Sequence, residues 1–338
     1  MRHGPLGAPN KQRRVAYDGQ MAAGPADTCA RPPPWWRRTT ITVPAALLTI
    51  AAVIAVIVVL VPRPDSAPTG RGYGSQIILP FPGLQEPGEV AVDAAGAVYV
   101  ADRRNDRVLV LAAGSDAPTE LPFHDLDLPM ALAVDTVGAV YVADLGTDGV
   151  AGRDDRVQKL PAGATAPTEL PFPDLSVPSA IAVDTAGAVY VAEQGNNRVR
   201  KLPHGAATPI QLPFTEIAVP SGLAVDAAGN VYLATSAANT HRLGPHDPVR
   251  KLAPGAAKPA KLSLTGQRVA VDASGAIYVT DPDRRGYAHV LKYDAGAGAP
   301  TELPLDGVRT TDGLAVDSDG TVYVVDVSNA RVLKLPIE

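Results

Sequence analysis

The chain has one cysteine in 338 residues, Cys29, and it stands ahead of the longest apolar run. No cysteine follows that run, which excludes disulfides from the larger part of the chain and a lipid-modified cysteine behind the apolar segment. That part must hold itself together by its own buried core, and roughly 260 residues suffice for one. Aromatic residues are also scarce, at 5%. All four phenylalanines, Phe81, Phe123, Phe172 and Phe214, close the same short motif, L-P-F. The six histidines show no H-E-x-x-H or other metal-ligand spacing. Charge is sparse and of mixed sign, −5 in total, with no basic stripe of the kind a nucleic-acid binder needs.

What the chain does have is a repeat. Six aspartates, Asp93, Asp135, Asp184, Asp226, Asp272 and Asp317, each end a small apolar stretch. Each is followed three residues on by a glycine and six residues on by a tyrosine, the last pair being Gly320 and Tyr323. Short alternating strands and turn signals recurring at this spacing predict a β-propeller with one four-stranded blade per repeat. Six copies predict six blades. In the third repeat the spacing predicts strands over 180–184, 188–192, 198–202 and 211–214. Pro87, Pro129, Pro178 and Pro220 set an extended entry to the inner strand, and D-x-x-G makes the first turn.

Position −2 from the aspartate is alanine in every copy, as expected where inner strands crowd near an axis, and the L-P-F phenylalanines, with Leu264 and Leu305 in the last two repeats, are expected to fill the wider gaps between blades. The repeats run out of phase: 76–81 reads as an outer strand with no blade before it, and 331–337 as a third strand with no outer strand after it. The N-terminal strand is therefore expected to complete blade six and leave no open edge.

Residues 1–38 are rich in Pro, Gly, Ala and Arg and read as a disordered basic tail; residues 1–40 carry a net +5. Ile41–Val61 has no charged residue and is long enough to span a bilayer as a helix. Trp35, Trp36, Arg37 and Arg38 precede it, so the positive-inside rule puts the tail in the cytoplasm and the propeller outside. The expected organisation is tail 1–38, transmembrane helix 39–62, linker 63–74 and propeller 75–338, in the cell membrane as a single-pass protein.

The repeats resemble NHL repeats. The run Gly72-Tyr-Gly-Ser-Gln-Ile-Ile-Leu-Pro-Phe-Pro-Gly-Leu84, with Gly195-Asn-Asn-Arg-Val199 and Val332-Leu-Lys-Leu335, is similar to the extracytoplasmic sensor propeller of actinobacterial receptor-type serine/threonine kinases of the D type. That resemblance implies a six-bladed ligand-sensing or protein-binding domain. The chain departs from those kinases ahead of the apolar run, where no V-A-I-K, H-R-D or D-F-G motif occurs. It therefore reads as anchor and sensor without a kinase domain, a binding module and not an enzyme, with no cofactor. The alternative is a propeller enzyme of the streptogramin-lyase or lactonase type, whose chemistry would need a metal or a His/Glu group in the channel.

Length variation falls on the face carrying the second-to-third loops and the blade-to-blade loops, where insertions favour binding. Those loops bring Asp148, Arg153, His241, Arg242, Arg284, Arg285 and Tyr287. At the inner-strand mouth, where other repeats have Gly or Ala, stand Glu89 and Arg268, with Asp312 one residue further out. These ten residues form the expected site for an extracytoplasmic ligand or protein. The acids that end the second strands, among them Asp102, Asp144, Glu193 and Asp326, are expected to form exposed pairs with Arg107, Arg156, Arg198 and Arg331.

Overall fold

In the computed structural model each repeat is one antiparallel blade, and six four-stranded sheets are present. The structure describes residues 72–146, 154–236, 247–283, 286–296 and 298–338. The predicted membrane segment Ile41–Val61 and the basic tail lie outside these residues. Among the described residues no helix is long and apolar enough to cross a membrane.

Blade three shows how a repeat folds: inner strand Pro178–Val183, then Val189–Glu193, Arg198–Leu202 and the short outer strand Ile210–Gln211. The turn Asp184 to Gly187 is closed by the carboxylate, which accepts the N–H groups of Ala186 and Ala188 through one oxygen. Through the other it accepts the hydroxyl of Tyr190 at 2.9 Å. The same Tyr to Asp bond recurs in all six blades, which is why the tyrosine keeps its spacing from the aspartate. In five blades the tyrosine ring also lies under a lysine of the third strand, as Tyr190 does under Lys201 at 4.8 Å.

The outer strand is shorter than the sequence predicts. Proline within L-P-F removes a ladder donor, and the N–H of Phe214 turns back onto the carbonyl of Leu212 at 2.8 Å. This two-residue turn, repeated at Phe81, Phe123 and Phe172, swings the ring off the sheet edge and into the gap between blades. Phe172 packs with Tyr141 and Val157 of blade two and with Ile181 and Val191 of blade three. Phe214 does the same between blades three and four, and Phe81 between blades one and six. Each of the six hydrophobic clusters joins two neighbouring blades, so the core is a set of wedges between sheets.

Blade six consists of Thr311–Val316, Val322–Asp326 and Arg331–Leu335, with Ile77–Ile78 as its outer strand. Ile78 pairs with Leu333 and Ile77 with Lys334. Tyr73 bridges to Ile337, and Glu338 donates its N–H to Gly72, which extends the seam to the last residue.

One expectation fails. The acids ending the second strands are not surface partners: Asp102, Asp144, Glu193 and Asp326 are wholly buried. They receive Arg107, Arg156, Arg198 and Arg331 from half-buried positions. Three of them also accept a backbone N–H from the loop that leads into their own blade: Asp102 from Gln85 at 2.7 Å, Asp144 from Asp127 at 2.9 Å and Glu193 from Ser176 at 3.3 Å. In those three blades the loop folds over the carboxylate, so the acid anchors the loop. Burial pushes the Asp144 carboxyl up to about 6, against the lowering pull of the Asp127 N–H and of Arg156.

Candidate functional site at the channel mouth

The six inner strands leave a central channel of about 180 Å³, lined by Ala91, Ala133, Ala182, Ala224, Ala270 and Ala315 together with valines, leucines and Ile181. Alanine at this ring is what lets the strands meet. Two charged residues open into the channel, Glu89 from blade one and Arg268 from blade five.

These two belong to a larger constellation. Asp312, at the start of the inner strand of blade six, accepts Arg268 at 2.9 Å through one carboxylate oxygen and Arg103 at 2.7 Å through the other. The arginine side chains are each 14% exposed and Asp312 is 26% exposed. Arg268 also donates to the carbonyl of Ser221 in blade four. Glu89 accepts the N–H of Leu314 at 3.1 Å and that of Val90 at 3.3 Å. Blades one, four, five and six are thereby tied together across the mouth.

The electrostatics follow from this arrangement. Glu89 is partly open to the channel but has protein on every other side, and burial pushes its carboxyl up to about 7, against the lowering effects of Arg268 and of the Leu314 and Val90 amides. Burial would also raise Asp312, but Arg268 and Arg103 more than offset it and hold that carboxyl below its ordinary value. Two acids a short way apart are thus set for different protonation states near neutrality.

Small residues make the geometry possible. A Cβ on Gly88 would sit 2.8 Å from the Arg103 Nε and 3.2 Å from the carbonyl of Met130, and one on Gly313 would sit 2.8 Å from the Val90 amide. The Arg103 Nε is buried and unpartnered.

Of the ten residues expected from sequence, the structure brings Glu89, Arg268 and Asp312 together. Tyr287 stands apart on the second-to-third loop of blade five, with the Arg309 guanidinium 5.2 Å from its ring centre. Asp148, Arg153, His241, Arg242, Arg284 and Arg285 lie outside the described residues. Arg103 is the member that sequence reasoning misses. Its signal is an arginine directly after the buried acid of blade one, where blade three has Gln194 and blade six Val327. Among the described residues no three His, Cys, Asp or Glu side chains converge in a way that could hold a metal ion.

The sequence matches no protein-family model and no curated protein at a significant level. Solved structures are similar in fold. A streptogramin B lyase superposes with a TM-score of 0.53 at 14% identity, over 78% of this chain and 97% of the lyase. A gluconolactonase from Xanthomonas campestris gives 0.56 at 14% identity, over 75% of this chain and 87% of its own. The PQQ-bound aldose sugar dehydrogenase from Streptomyces coelicolor gives 0.55 at 14% identity, over 80% and 100%. At these identities the likeness establishes the six-bladed propeller and nothing about chemistry.

Proposed function

We propose that the chain is a membrane-anchored, sensor-like propeller that binds a polar ligand or a loop of another protein outside the membrane, as the resemblance to the kinase sensor domain suggests. The observation that carries this reading is the charged ring of Glu89, Asp312, Arg103 and Arg268 at the mouth of an otherwise apolar channel. Fixed donors and acceptors of both signs, held in place before any ligand arrives, suit recognition of a polar group at little ordering cost. The anchor rests on the uncharged run Ile41–Val61 and the basic tail before it. Signalling, if the domain senses, passes through a partner.

The second reading, a propeller lyase or lactonase, has the fold of its neighbours in its favour. Against it stands the donor set: Asp312 is committed to two arginines, which leaves Glu89 as the single poised carboxyl of the mouth among the described residues. Crosslinking on intact cells that express the full tagged chain separates the two. Binding at the mouth predicts a crosslinked partner that is lost in the double variant R103Q/R268Q and retained in D116K or D294K on the opposite face. The reverse pattern would overturn the proposed face. Stoichiometric metal in the purified full-length protein, with lactone or lyase turnover sensitive to EDTA, would favour the enzyme. A C-terminal tag that resists protease on intact spheroplasts would contradict the topology.

A further inference from the structure

Charge at the buried end of the second strand is matched blade by blade, with one exception. Blades one, two, three and six each bury an acid there and answer it with an arginine of the third strand. Blade five has Asp281 in the acid's place, three residues after Tyr278 as Glu193 is after Tyr190, and faces it with His289. Blade four has Thr235 in the acid's place, since Thr235 pairs with Pro220 as Glu193 pairs with Pro178. Yet it keeps a buried arginine. Arg250 faces Leu233 as Arg200 faces Val191 in blade three, where Arg200 donates through Nε to Glu193.

The consequence in blade four is two orphaned groups. Thr235 is 0% exposed and Arg250 is 7% exposed. The Thr235 Oγ1 and the Arg250 Nε both lack any hydrogen-bond partner. The terminal nitrogens of Arg250 are held by the carbonyls of Thr215 and Glu216, which fixes the guanidinium but supplies no negative charge. The position that would answer Arg198 is Pro248, so no second arginine is present. A guanidinium cannot discharge itself by losing its proton, and a buried ion without a counter-charge is costly.

We propose that blade four holds a small monovalent anion between the Arg250 Nε and the Thr235 hydroxyl, in the place that the carboxylate of Glu193 fills in blade three. The ligand class is chloride or a carboxylate of formate size: it must be singly charged to balance one guanidinium, and small because the side chain it replaces is only a carboxylate head. Thr235 donates its hydroxyl hydrogen to the anion, Arg250 donates its Nε–H, and the blade acquires an ion pair like that of Arg200 and Glu193 in blade three. This site is independent of the channel mouth, which lies on other residues.

The test uses the full-length protein in detergent, melted in chloride or formate and in the same concentration of gluconate, an anion too large for the gap. Chloride and formate should raise Tm by on the order of 2 °C or more over gluconate in the wild type. T235E, which supplies the carboxylate from the chain, should melt higher than wild type in gluconate and lose the response to chloride. R250Q should also lose the response. Bromide in place of chloride should give one anomalous peak beside Arg250 in wild-type crystals and none in T235E. A response that persists unchanged in T235E and R250Q would be a general salt effect and would overturn the proposal, as would a wild type indifferent to chloride and formate alike. Should R250Q fail to fold, T235E and the bromide peak decide alone.

Discussion

Glu89 of the first blade accepts the backbone N–H of Leu314 in the sixth at 3.1 Å, so the seam where the ring closes also carries its poised carboxyl. Arg268 and Arg103 converge on Asp312 one residue before Gly313 in the same strand. Closure of the fold and construction of the mouth are therefore one event, and variants at the seam should report on both.

The pH dependence of stability should carry the mark of Glu89. Its folded value, about 7, lies above the ordinary 4.5, so between those values the folded state holds more protons than the unfolded one. Stability from this group is full below about pH 4.5 and falls as pH rises through 7. Glu89→Gln removes that loss and should be more stable than wild type at pH 8 by up to about 3 kcal/mol, with the gap closing near pH 4.5. Urea melts of both proteins at pH 5 and pH 8 check this, and an equal difference at the two pH values would contradict the raised carboxyl.

Arg268→Ala should cost stability as well as binding. An exposed arginine at the mouth would have little effect on folding when changed. In the structure Arg268 is mostly buried, and its loss leaves Asp312 with Arg103 alone and the Ser221 carbonyl without its donor. Removing one partner of such a pair typically costs about 1–3 kcal/mol. The Asp312 carboxyl should rise at the same time, which NMR titration can follow. A loss within the ~0.5 kcal/mol usual for surface changes would return Arg268 to the rim.

Much of the fold can be read from the sequence because it is written six times. The aspartate, glycine and tyrosine spacing gives the blades, and the L-P-F phenylalanines land between them. The tyrosine hydroxyl could have been assigned to the aspartate from their constant spacing alone. The mouth was half legible, since Glu89, Arg268 and Asp312 break a ring of Gly and Ala. Arg103 was not, because its partner Asp312 sits in the last blade and only ring closure brings them together. The burial of the acids is not legible for a related reason: what covers Asp102 is the backbone at Gln85, which no side-chain pattern announces.

The turn bond predicts a graded series in any blade, and blade three is the clearest. Tyr190→Phe removes the hydroxyl that donates to Asp184 and should cost about 1 kcal/mol. Asp184→Ala also leaves the Ala186 and Ala188 amides without their acceptor and should cost more, about 1–3 kcal/mol. Burial opposes ionisation of Asp184, but the Ala188 amide, Tyr190 and Lys201 outweigh it and hold the carboxyl below its ordinary value. Its contribution is therefore present above about pH 4 and is lost as pH falls further. If Tyr190→Phe and Asp184→Ala cost the same at pH 7, the carboxylate is not the hub of the turn.

Deletion of residues 72–81 should damage the whole propeller although it removes a single strand. Ile77 and Ile78 give blade six its outer ladder against Lys334 and Leu333, and Tyr73 and Gly74 pair with the last residues of the chain. Phe81 is buried between blades one and six beside Val90, Val325 and Val332. Loss of a buried phenylalanine alone costs about 3–5 kcal/mol, and an opened ring exposes two sheet edges to other chains. The deleted protein should therefore melt well below wild type and associate on concentration, whereas Phe81→Leu with the strand intact should lose stability and stay monodisperse. A deleted protein that melts within a few degrees of wild type and remains monodisperse would show that the ring does not depend on its N-terminal strand.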